Sequence, residues 1–182
     1  MPILSGDLKF KKSLHEVAAG VDNGNTHDLA VSSLGLGVST DELTSGLLHD
    51  LFDAVPSSEA SAGRVEYRCI YVENDHASLT LYDSKIFISS NTDSSGTTIE
   101  IGVDPVSVNG EDSLIALVDE VDSSNLLSSV VWSTSPTFDN GLSLGNLAAG
   151  EQRAVWIRRT INSATVATAE TATLALRGDT DA

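Results

Sequence analysis

Arg64-Val65-Glu66-Tyr67-Arg68-Cys69-Ile70-Tyr71-Val72-Glu73 decides the fold class, because its residues alternate with a period of two. Val65, Tyr67, Cys69 and Tyr71 fall on one side of an extended chain. Glu66 and Arg68 fall on the other, followed by Ile70 and Val72. Downstream, Leu79 to Ser90 reads as another strand or pair, centred on Ile86, Phe87 and Ile88, and Asn91 to Gly96 as a turn cluster of the kind that joins hairpin strands. Thr97, Ile99, Ile101 and Val103 alternate with Thr98, Glu100 and Gly102, as in a half-buried strand. Val130-Val131-Trp132, Leu142-Ser143-Leu144, Arg153 to Ile161 and Thr171 to Leu176 supply further strands. Ser113 to Val121 fits a short helix as well as a strand. Several short strands separated by turns, without a repeat of fixed period, predict an all-β protein: an antiparallel β-sandwich of the immunoglobulin-like or jelly-roll kind.

Upstream of this region the pattern changes. Residues 1–38 read as an extended arm whose apolar residues need a surface to lie on, with Leu34, Leu36 and Val38 alternating with Gly35 and Gly37. A short helix is predicted from about Thr40 to Val55. Ser39 and Glu42 have capping-box spacing, Leu43, Leu47, Leu48, Leu51, Phe52 and Val55 recur at helical spacing, and Pro56 ends the run. Ser57 to Gly63 is a small-residue linker. The expected organisation is therefore residues 1–62, an arm and helix for assembly contacts, and residues 63–182, the β-sandwich.

The chain has 182 residues and a formal charge of −16, from 26 acidic against 10 basic residues. A field of that sign repels phosphate and anionic lipid, so nucleic-acid and membrane binding are disfavoured. The one cysteine, Cys69, lies within an apolar-alternating run and reads as a small core residue. No stretch is apolar for long enough to span a bilayer. The first residues lack the basic-then-apolar pattern of a signal peptide, so the chain is expected to be made in the cytoplasm and kept inside the cell until something other than ordinary secretion releases it.

No catalytic, cofactor-binding or metal-binding residue emerges, and the chain reads as a non-enzyme. Gly141-Leu142-Ser143-Leu144-Gly145 is a literal G-x-S-x-G, but it leads through a turn into a strand, and His15, His27, His49 and His76 all precede Ser143. Asp22, Asn23, Asn25 and Asp28 surround Gly24 without the register or closing glutamate of a calcium loop. Asp119, Glu120 and Asp122 cannot all face one point on a strand.

The residues that point outward are those expected to hold partners. Leu4, Leu8 and Phe10 are even-numbered, while Lys9 and Lys11 are odd-numbered and Lys12 adjoins them. An extended arm would thus show apolar groups on one side and charge mostly on the other, fit to add to a neighbour's sheet edge. Arg158 and Arg159 point to opposite faces of their strand, leaving one free for a neighbour, and Trp156 shares a face with Arg158 as an amphipathic anchor.

Glu66-Tyr67-Arg68-Cys69-Ile70-Tyr71-Val72-Glu73-Asn74-Asp75-His76 resembles a run in a family of small tailed-bacteriophage structural proteins. The resemblance continues at Ile88 to Thr92, Ile99 to Asp104, Val108-Asn109-Gly110 and Leu142 to Gly145. It is strongest over Ala149-Gly150-Glu151-Gln152-Arg153-Ala154-Val155-Trp156-Ile157-Arg158-Arg159-Thr160. It covers about two thirds of the chain and implies a virion component without catalytic residues. The expected function is capsid decoration or cementing, with a neck, tail or fibre-attachment protein as the alternative. The expected partners are other virion proteins (the major capsid protein or neck and tail proteins) and further copies of the chain, with no cofactor. A host- or carbohydrate-binding sandwich is the rival class, for which Trp132, Trp156 and the three tyrosines are the available stacking groups.

Overall fold

The computed structural model describes residues 2–14, 33–55, 57–92, 96–121, 125–162 and 170–180. After a 3-10 turn at Ser5–Asp7, eight strands follow: β1 (Leu8–Ser13), β2 (Val38–Glu42), β3 (Arg64–Asn74), β4 (Leu81–Ser90), β5 (Thr97–Val103), β6 (Leu142–Leu147), β7 (Gln152–Ile161) and β8 (Thr173–Thr180). They form two antiparallel sheets, a larger one ordered β2-β1-β3-β7-β5 and a smaller one ordered β6-β4-β8. The all-β sandwich expected from the alternating runs is what the chain builds. From β3 onward successive strands lie in opposite sheets, so each connection passes over an end of the sandwich.

The two sides of β3 serve two cores. Ile70 and Val72, with Val155 and Ile157 of β7 and Ile99 and Ile101 of β5, meet Leu81, Ile86 and Ile88 of β4 and Leu144 and Leu147 of β6 between the sheets. On the other side Cys69 and Tyr71, with Ala154 and Trp156, are covered by Leu34, Ile115, Leu117, Leu127 and Val130 from two loops. The larger sheet is therefore buried on both faces, by a second sheet on one and by loop on the other. That explains why Ile70-Tyr71-Val72 and Ala154-Val155-Trp156-Ile157 are apolar without interruption.

The loop cover comes close. A β-carbon at Gly102 would lie 2.2 Å from a methyl of Val130, and one at Gly35 would lie 2.0 Å from the carbonyl oxygen of Ile115. Gly35 also has φ +109°, a conformation that side chains disfavour. Both positions need glycine for the cover to seat.

Two expectations are corrected. The helix over Thr40–Val55 does not form. Val38–Glu42 is strand β2 instead, and the one α-helix among the described residues is α1, Ser57–Ala62. The Ser39 hydroxyl accepts the Asp41 N–H, so it makes a local turn and no capping box. Glu42 pairs in register with Lys11. Positive φ at Gly46 (+80°) and His49 (+60°) breaks any helical continuation. The stretch Val130-Val131-Trp132 is likewise not a strand; beside it, Ser133 makes only an isolated bridge to Ile101. The ambiguous segment is extended in part: Ser113, Ile115 and Leu117 are buried and Leu114 and Val118 point outward, around a single bridge from Ala116 to Gly35.

The expected arm also lies in the sheet. β1 pairs with β3 from Leu8↔Asn74 to Lys12↔Ile70, and Leu8 and Phe10 pack against the inter-sheet core.

Candidate functional site

The residues expected to hold partners are mostly engaged within the chain. Lys9 meets Glu42 at 3.2 Å, Lys11 pairs with Glu73, and Lys12, nearly buried, meets Asp50 at 2.7 Å. Trp156 is fully buried, which corrects its reading as a surface anchor. Arg158 binds Glu100 through Nε at 2.9 Å and a terminal nitrogen at 2.6 Å, and its guanidinium lies 4.7 Å from the centre of the Trp132 ring. Arg159 donates to Glu66. Leu4 alone of this set is largely exposed.

Two polar clusters hold the loops to the larger sheet. On the loop-covered side Asp104, fully buried, accepts bonds at one carboxylate oxygen from the Val106 and Ser107 N–H groups (2.8 Å each). At the other it accepts from Ser113 Oγ (2.6 Å) and Trp156 Nε1 (2.8 Å). Tyr71 donates its hydroxyl hydrogen to the Leu36 carbonyl and accepts the Ser113 N–H, so strand and both covering loops are tied at one place. Burial raises the Cys69 thiol and Tyr71 hydroxyl well above their ordinary pKa values, so both stay protonated and serve as packing and hydrogen-bonding groups.

The second cluster closes one end of the inter-sheet face. Arg64 and Arg68 both reach Glu120, and Arg64 and Arg159 both reach Glu66. Arg68 and Arg159 also bracket the Phe52 ring, at 5.3 and 4.5 Å from its centre, and donate to the Leu51 and Asp53 carbonyls. The segment expected to be a helix is therefore held as a plug by two guanidinium groups. Burial raises the Glu66 pKa, opposed by its contact with Arg159.

Ser143 lies within β6, and its hydroxyl accepts the Gly145 N–H at 3.3 Å, so the strand-to-helix turn of a nucleophilic serine is absent there. His76 Nδ1 accepts the Ser78 and Leu79 N–H groups and stabilises a turn. Among the described residues no cluster of three His, Cys, Asp or Glu side chains is placed to hold a metal ion. Glu120 is taken up by arginines and Asp119 caps the Val121 N–H. Asp22, Asn23, Asn25, Asp28, Asp122, His15 and His27 lie outside the described residues.

What the structure adds is a set of outward-pointing apolar residues on one long loop. Leu114 is 80% exposed, Val118 81% and Val131 77%, with Val106, Val108 and Leu126 also largely exposed on the same long β5–β6 connection. Their immediate neighbours Ile115, Leu117 and Val130 already fill the core beneath, so the outward residues add nothing to the fold's own burial. Such residues mark contact sites when several share a surface segment. The apolar character of residues 114–118 was visible in the sequence, but not the extended conformation that turns half of it outward. No family model, no curated protein and no solved structure matches this chain.

Proposed function

We propose that the chain is a structural, non-enzymatic component of a tailed-phage particle, where it decorates or cements the capsid by binding neighbouring subunits. The observation that carries the contact role is the exposure of Leu114, Val118 and Val131 on a loop whose inward residues are already packed. Seven of the ten basic side chains are matched to carboxylates of the same chain (Lys9, Lys11, Lys12, Arg64, Arg68, Arg158 and Arg159), so apolar burial is the larger resource left for a partner. The particle assignment rests on the resemblance of the Glu66–His76 and Ala149–Thr160 runs to small phage structural proteins. A sugar-binding surface is disfavoured, because Trp156 is buried and Trp132 is occupied by Tyr67, at 5.7 Å between ring centres, and by Arg158. A neck or tail position is the alternative within the same class.

The test is reconstitution. Particles lacking the protein are mixed with wild type or with Leu114→Asp/Val118→Asp/Val131→Asp, sedimented, and their occupancy measured. Wild type binds to saturation and the triple variant, folded by circular dichroism, loses at least about tenfold in affinity. Equal binding by the two overturns the loop-contact reading, and no binding by either overturns the particle assignment.

A further inference from the structure

We infer that two copies of this chain pair through the outer edge of β8, antiparallel about Gly178, joining their smaller sheets into one. β8 is an edge strand bonded only to β4, and no described residue pairs with its other side. The other edges are guarded. β2 is short and ends in Asp41-Glu42, β5 is bridged by Ser133, and β6 is tied to the loop residue Asn109 through its Asn146 carbonyl. β8 runs eight residues, none of them buried, and contains no proline or lysine of the kind that blunts an edge.

The charge pattern selects the occupant. Lys85, Arg153 and Arg177 lack a carboxylate partner among the described residues, unlike the other seven basic side chains. Arg153 is instead drawn to the Asp104 carbonyl. Lys85 and Arg177 stand directly opposite each other in the β4–β8 ladder, an arrangement that like charges disfavour, and both lie over the Phe138 ring at 5.2 and 4.8 Å. Arg177 and Asp179 flank Gly178 and share the outward face, where both are exposed. In an antiparallel pair centred on Gly178, residue numbers sum to a constant. Arg177 then faces Asp179 of the second copy, and Asp179 faces its Arg177. The strand is thus complementary to itself, as a two-fold contact requires. Leu176 and Thr180 face one another across the same axis on the inward side.

This interface is separate from the outward-pointing apolar loop residues and stands whether or not the particle assignment does. The test is sedimentation of the purified full chain at rising concentration, for wild type, Arg177→Asp, and Arg177→Asp/Asp179→Arg. Wild type forms a dimer. Arg177→Asp places like charges opposite each other twice and raises the dissociation constant at least about tenfold. The double variant, with the charges exchanged, dimerises again. Hydrogen exchange provides a readout without substitution: amides of residues 176–180 gain protection as the wild type is concentrated. A wild type that stays monomeric, a dimer indifferent to Arg177→Asp, or a double variant no better than the single one overturns the proposal.

Discussion

Asp104 shows how one buried carboxylate can organise a loop. Four donors converge on it, two of them backbone N–H groups two and three residues downstream, so it both turns the chain after β5 and anchors the turn to Trp156. Its replacement by alanine strands those donors in the interior. Asp104→Ala should cost about 3 kcal/mol or more in urea unfolding and alter the Trp156 fluorescence, while Asp104→Asn, which keeps an acceptor, should cost less. Glu66 is the opposite case. Burial raises its pKa, so its ionised form weighs against the folded state: its contribution to stability is fully present below the unfolded value of about 4.5 and is lost as pH rises through the folded one. As pH rises above about 4.5, wild type should therefore lose stability relative to Glu66→Gln, as read from paired urea titrations. A difference that ran the other way would show that Arg159 outweighs burial. Neither residue stood out in the sequence. An aspartate before a proline has the form of an ordinary turn residue, and alternation with arginine does not show that a glutamate is buried.

At the level of elements, period-two alternation disclosed the strands because a pleated strand must sort its side chains, and β3, β5 and β7 lie where their patterns place them. It did not disclose what covers each face, since Cys69, Tyr71 and Trp156 are as apolar as Ile70 and Val155 although they meet loop and not sheet. The missing helix failed for a related reason. Leu43, Leu51 and Phe52 do reach the core, but through turns fixed by Asp50 and the two arginines, while Leu47 and Leu48 stay exposed. Spacing alone cannot distinguish a helical stripe from a plug. Two predictions belong here. Gly102→Ala should displace the Leu127–Val130 cover and cost about 1–3 kcal/mol, seen as a lowered Tm with a changed Trp132 signal. Deleting residues 2–14 should lower the Tm and broaden the transition, because it strips five paired residues from β3. An unchanged Tm would show that β1 contributes to assembly alone.

For the whole molecule, charge and apolar surface divide the work. A net charge of −16 sets up a field that disfavours contact with phosphate, and internal ion pairs consume most of the basic side chains. In the proposed role, the exposed apolar residues of the β5–β6 connection are the groups through which the sandwich would gain by meeting another protein. Among the described residues no helix is long and apolar enough to cross a membrane. If the chain is a stoichiometric building block of a particle, its copies must stand in fixed proportion to the shell. Quantitative mass spectrometry of purified particles, calibrated against the major shell protein, counts them. A copy number that scales with the shell is expected, in the hundreds for a decorated capsid, and absence of the protein from the purified particle would contradict the proposed role.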